Sequence, residues 1–106
     1  MTEEACRRHG VTPRQHMLLL MIASAVEDGR HSTVTSLVDD LQLTQHAVSE
    51  LVQRAAEAGL LYRERSSKDG RVAYLRLTSL GRERLDAVVA ELSEERSALA
   101  CALRPR

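Results

Sequence analysis

Apolar residues along this chain fall first into helical spacing, then into a short alternation, then into helical spacing again. Residues 2–9 read as a weak, frayed first helix. Thr12-Pro13 marks a sharp start for the next one: threonine caps orphan backbone N–H groups, and proline at the first helical position has no N–H to leave unpaired. That helix runs to about Val26, with Met17, Leu20, Met21 and Ala25 as its buried stripe and Leu18, Leu19 and Ile22 broadening it. Asp28-Gly29 ends it. Thr33 caps a helix over 34–41, where Leu37, Val38 and Leu41 share one face and Asp39 and Asp40 point away. Gln42-Leu43 makes a tight connection, and Thr44 caps a further helix over 45–58. Val48, Leu51, Val52 and Ala55 face inward there, while Gln45, His46, Ser49, Gln53 and Arg54 stay outside; Gly59 stops the helix.

Residues 60–66 read as a strand, and Ser67-Lys68-Asp69-Gly70 as a turn, since Asp can bond local backbone and Gly can adopt positive φ. Over 72–77 the pattern alternates, with Ala73, Leu75 and Leu77 on one face and Val72, Tyr74 and Arg76 on the other. Thr78 then caps a final helix over about 79–103, along which Leu85, Val88, Val89, Leu92, Leu99 and Leu103 form a seam of near-heptad spacing, interrupted at Arg96. A helix this long overhangs a small domain, and its apolar stripe requires a cover, which predicts a homodimer. The fold class is therefore mainly α with a small β-hairpin: a winged helix-turn-helix with a long C-terminal dimerisation helix. One domain spans residues 1–106, with the helix-turn-helix at about 33–59, the wing at about 60–78 and the C-terminal helix at about 79–103.

The composition supports that architecture. With no Trp or Phe and only two Tyr, the core must be aliphatic, which favours packed helices over an aromatic-rich sandwich. Net charge is zero, which by itself argues against strong nucleic-acid binding. Its distribution matters more: residues 44–78 carry six basic against four acidic side chains, and the cations cluster late, at Arg63, Arg65, Lys68, Arg71 and Arg76. No apolar run is long enough for a membrane span, and no secretory signal is recognised, so a cytoplasmic protein is expected. Cys6 and Cys101 have no metal-ligand spacing, and His9, His16, His31 and His46 do not cluster with acidic or thiol ligands, so no metal and no cofactor is expected. There is no nucleophile with a base and no glycine-rich phosphate loop; the chain does not read as an enzyme.

Two helices joined by a few residues, the second rich in short polar side chains and followed by a cation-tipped hairpin, suit duplex DNA. A helix fits the major groove, where Gln, His, Ser and Arg reach base edges, and a hairpin tip reaches backbone or minor groove. At Leu41-Gln42-Leu43-Thr44-Gln45-His46-Ala47-Val48-Ser49, at Ala58-Gly59-Leu60-Leu61, and above all at Asp69-Gly70-Arg71 followed by Leu75, Leu77-Thr78 and Gly81, the chain resembles the MarR family of regulators. The last set matches the wing pattern D-x-R-x-x-x-L-x-L-T-x-x-G at every fixed position, and the resemblance covers roughly residues 12–95.

The resemblance implies a dimer with interlocked terminal helices, recognition helices in successive major grooves, wings in flanking minor grooves, and often a small-molecule or oxidant signal. Thr44, Gln45, His46, Ser49, Gln53 and Arg54 then stand on the recognition helix. Arg65, Lys68 and Arg71 equip the wing, and Asp69 and Gly70 shape it, Asp69 by pairing with an arginine. The implied function is sequence-specific, transcription-regulating binding of a pseudo-palindromic operator, by default as a repressor. Family members are usually longer at both ends, Ala55 replaces a larger apolar residue, and Glu50 replaces a neutral or basic one. Two alternatives stay open: a winged-helix protein-interaction module without DNA binding, and a redox-sensing regulator using Cys6, whose thiol Arg7, Arg8 and His9 could activate.

Overall fold

A computed structural model describes the backbone of residues 2–68 and 70–103 and the side chains of 3–68 and 70–94. The order is α1 (Thr2–Arg8), α2 (Pro13–Glu27), α3 (Val34–Leu41), α4 (Gln45–Glu57), β1 (Leu61–Arg65), β2 (Ala73–Leu77) and α5 (Ser79–Leu103). Each expected element is present: a mostly helical body with one antiparallel hairpin and a long final helix.

Local chemistry sets the boundaries. Thr12 and Thr33 each close a reciprocal capping box with the residue three positions on, Gln15 and Ser36. Between α3 and α4, Gln42 takes a left-handed conformation (φ 55°), and its backbone N–H and that of Leu43 both donate to the Val38 carbonyl. That bend turns the chain within two residues and sets α4 across α3. Leu37, Val48, Val52 and Ala55 are completely buried in one core with Leu18, Leu19 and Leu75.

Two expectations need correction. The α1 segment is not a frayed end: Ala5 and Cys6 are completely buried, and Arg8 grips Glu91 of α5 through two hydrogen bonds of 3.0 and 2.8 Å. On α2, Met17 and Leu20 are 46% and 37% exposed, whereas Leu18, Leu19, Ile22 and Ala25 are buried. At 100° per residue, Met17, Leu20 and Ser24 share the face opposite that core arc. The helix is contacted by α1, α3, α4, α5 and β2, and its buried positions span about half the circumference.

Among the described residues no helix is long and apolar enough to cross a membrane. The 25 residues of α5 extend about 37 Å, more than the 26 Å width of the molecule.

Candidate nucleic-acid interface

On α4 the core and the exposed face separate cleanly. Val48, Val52 and Ala55 are fully buried, and Gln45, His46, Glu50, Gln53 and Arg54 are exposed at the three- and four-residue spacing of one helical face. Ser49 lies half-buried at the edge of that face. Thr44 is the N-cap, its hydroxyl accepting the Ala47 N–H at 3.1 Å. The first turn carries no acidic residue, so the positive end of the helix is uncompensated. Arg54 pairs with Glu50 (3.3 Å) and Gln53 donates to Glu57 (3.0 Å), both in solvent. Glu50 thus points along the helix toward Arg54. Exposed pairs of this kind contribute about 0–1 kcal/mol, so a phosphate or base edge can displace them.

The hairpin pairs Leu61 with Leu77 at its base and Arg65 with Ala73 near its tip. An isolated bridge flanks its outer edge: the Leu75 N–H donates to the Ser32 carbonyl at 2.8 Å, and Ser32 is buried. At the tip, the Ser66 N–H donates to Val72 O (2.9 Å), and the Lys68 N–H donates to the Ser66 hydroxyl (3.2 Å). Arg65 turns back on the ribbon, its guanidinium donating to the Gly70 carbonyl. Lys68, Gly70 and Arg71 are exposed at the turn. Asp69, expected to shape the wing, lies outside the described residues. Lower down, Arg76 pairs with Glu64.

Where α4, the hairpin and α5 meet, the backbone is tightly joined. Gly59 takes φ +77° and closes α4 with two bonds, its own N–H to Ala56 O and the Leu60 N–H to Ala55 O, both 3.0 Å. Thr78 donates its hydroxyl to Gly59 O, accepts the Gly81 N–H at 3.0 Å, and donates its backbone N–H to Leu60 O at 3.1 Å. Gly81 lies so close to Leu60 that a Cβ there would stand 1.9 Å from its carbonyl oxygen.

Of the seam expected on α5, Leu85 and Val88 are buried in the chain's own core and Leu92 packs half-buried against it. They therefore brace the domain itself, and Val89, 40% exposed, is the described member left on the surface. The side chains of Leu99 and Leu103 lie outside the described residues. An open cleft of about 630 Å³ separates α2 from the hairpin and the start of α5, lined by Ile22, Val26, Tyr62, Arg76, Leu77 and Arg82 among others.

The alternative in which its sequence neighbours activate Cys6 is not supported by the surroundings of the thiol. The thiol is completely buried, and desolvation pushes its pKa up, since burial disfavours the thiolate. Arg8 and His9 are directed at Glu91 instead, and the Arg8 hydrogen bonds draw that carboxyl below its ordinary range. Burial lowers the pKa of His16, whose Nδ1 has no protein partner. Among the described residues, no group of three or more His, Cys, Asp or Glu side chains could hold a metal ion.

Reasoning along the sequence missed the bridge from Ser32 to Leu75, the packing of His31 on Tyr74 (ring centroids 4.4 Å apart), and the close approach at Gly81. All three join segments distant in sequence. Only Gly81 had a signal, as the fixed glycine of the wing pattern.

The family model described as MarR family matches residues 9–72. No curated protein matches the sequence. Among solved structures, a mutant of S. aureus MepR bound to an oligodeoxyribonucleotide is similar at TM-score 0.85 and 23% identity, over 97% of this chain and 73% of that one. An S. aureus MepR–DNA complex is similar at TM-score 0.84 and 23% identity, over 94% and 73%. YusO from Bacillus subtilis is similar at TM-score 0.80 and 26% identity, over 97% and 70%.

Proposed function

The chain belongs to the MarR family of non-enzymatic winged-helix transcription regulators, and from that premise we propose that it is a cytoplasmic repressor that binds a pseudo-palindromic operator as a homodimer. The observation that carries this is the exposed face of α4. Gln45, His46 and Gln53 stand there on a helix whose other face is locked into the core, beside a hairpin with Lys68 and Arg71 at its turn. Such a face offers donors and acceptors to base edges, and the hairpin cations neutralise phosphate. Thr44 caps the helix start, Ser49 stands in its second turn, and Arg54 exchanges Glu50 for phosphate on binding.

The partner subunit would cover Val89 and the apolar positions farther along α5, with Leu85, Val88 and Leu92 supporting that surface from within. Two α4 copies would then face successive major grooves, about 34–36 Å apart along the duplex. A small-molecule effector would enter the cleft between α2 and the hairpin. The redox reading through Cys6 finds no support in a buried thiol whose pKa is raised.

The test is selection of duplexes from a randomised pool by the purified protein, followed by gel shift at low and moderate salt. A selected inverted repeat, bound more tightly than random DNA, is expected. In Gln53→Ala the preference at one base pair per half-site should weaken by about 1–3 kcal/mol. Equal binding of all duplexes would refute an operator, and binding of none would leave a protein-interaction module as the surviving alternative.

A further inference from the structure

A two-stranded ribbon is by itself only marginally rigid. Here both ends of the hairpin are attached at its base, Leu61 following α4 and Leu77 leading into α5. Farther up, Leu75 is buried in the core, and the loop between α2 and α3 reaches the ribbon at that level. Ser32 bonds to Leu75 in the middle of β2. One residue nearer the tip, the ring of His31 stacks on that of Tyr74, with centroids 4.4 Å apart and planes inclined by 18°. Tyr74 stands on the same face of the hairpin as its cross-strand partner Glu64 and as Arg76. Together with His31, Arg65 and Lys68 these residues line a groove of about 370 Å³. His31 is two residues before Thr33, the N-cap of α3, so the stack is anchored on the first helix of the helix-turn-helix.

We propose that His31 is a positioning residue for the wing: its stack on Tyr74 fixes the hairpin against the helix-turn-helix, so that Lys68 reaches the duplex in register with α4. This rests on the DNA-binding reading above and deepens it. The Ser32–Leu75 bond is a single hinge line about which the ribbon can rock. A second contact one residue toward the tip, made by two flat rings, removes that freedom. Offset aromatic pairs add to area burial by an amount equivalent to a two- to tenfold change in an equilibrium.

Three variants test it: His31→Ala, Tyr74→Leu and His31→Phe, the last keeping a ring to stack. In the free protein, amide hydrogen exchange at Leu75 should accelerate about two- to tenfold in the first two, with Val52 on α4 unchanged as a reference. On a duplex selected by the wild type from a random pool, hydroxyl-radical protection should fall at the flanks reached by the wing and persist at the centre reached by α4. His31→Phe should restore both properties. Unchanged Leu75 exchange in His31→Ala and Tyr74→Leu overturns the proposal. So does faster exchange with intact flanking protection, or a His31→Phe protein that behaves like His31→Ala. If the wild type selects no duplex, the DNA-binding reading itself falls and this proposal with it, an outcome distinct from a wild type that binds and variants that bind equally well.

Discussion

Replacing Gly81 by alanine adds a single methyl group where the backbone of α5 presses against that of Leu60. The new Cβ would lie 1.9 Å from the Leu60 carbonyl oxygen, 2.9 Å from its carbon and 3.3 Å from its Cα. None of these atoms belongs to a flexible side chain, so the strain is relieved only if α5 moves by more than about 1 Å. Overpacking of a well-filled site costs about 1–3 kcal/mol. Moving α5 also loosens the Thr78 cap, since the Gly81 N–H is the group that Thr78 accepts, and a lost cap costs about 0.5–2 kcal/mol. Alanine returns about 1 kcal/mol of helix propensity. The terms sum to a loss of about 0.5–4 kcal/mol, centred on about 2 kcal/mol, a large part of the stability of a small domain, and the centre of that range corresponds to roughly 8–16 °C in Tm. Thermal and urea unfolding followed by circular dichroism would measure it. Gly70→Ala is the control, because nothing lies within 4 Å of the added methyl and no positive φ is required there. A Gly81→Ala protein melting within two or three degrees of wild type would show that α5 does not rest on Leu60 as described.

Three further outcomes are expected. Lys68→Ala should reduce the slope of log K against log salt concentration by about one unit, as one phosphate contact disappears; identical salt titrations of variant and wild type would place the wing tip away from the duplex. His16 is buried and its folded-state pKa is lowered, so the unfolded chain binds a proton that the folded chain refuses. Stability should therefore hold above the unfolded value of about 6.5 and decline as pH falls from there toward the folded pKa, by at most about 1.4 kcal/mol per pH unit; His16→Gln should flatten that stretch of a urea-unfolding series, and an unaltered curve would assign the pH dependence elsewhere. Cys6 should react with a thiol reagent at neutral pH only as fast as the domain opens, since its thiol is buried and its pKa raised; labelling read by mass spectrometry should accelerate in mild urea, and immediate labelling in buffer would contradict that placement.

The caps explain why so much of the fold was legible along the chain. Thr12, Thr33 and Thr44 accept N–H groups of residues three positions on, and Gly59 closes α4 through bonds to Ala55 and Ala56. These are short-range interactions, and the residue types that make them are few. The exposed face of α4 followed from the same locality, because the spacing of Val48, Val52 and Ala55 leaves Gln45, His46 and Gln53 outside. Where packing partners decide, the pattern was insufficient. All of α2 from Met17 to Ile22 is apolar, so periodicity could not select the buried arc; the neighbours did, leaving Met17 and Leu20 exposed. Leu85 and Val88 have the spacing of a dimer seam but lie against the chain's own core. Arg65 has the position of an outward cation and is exposed, yet its guanidinium donates to the turn carbonyl of Gly70, a contact the pattern does not encode. Arg7, Arg8 and His9 adjoin Cys6 in sequence, yet Arg8 and His9 are directed at Glu91 on another helix.

The knot of Gly59, Leu60, Thr78 and Gly81 has a mechanical corollary. It rivets the rear of α4 to the root of α5 through hydrogen bonds of about 3 Å and a contact with no slack. α5 then works as a lever some 37 Å long, and a sideways displacement of 3 Å at its far end is a rotation of about 5° at the rivet. In a two-fold assembly held at the far end, small adjustments there would be geared directly into the distance between the two α4 copies. Operator spacing could then be retuned by residues that never approach a base pair.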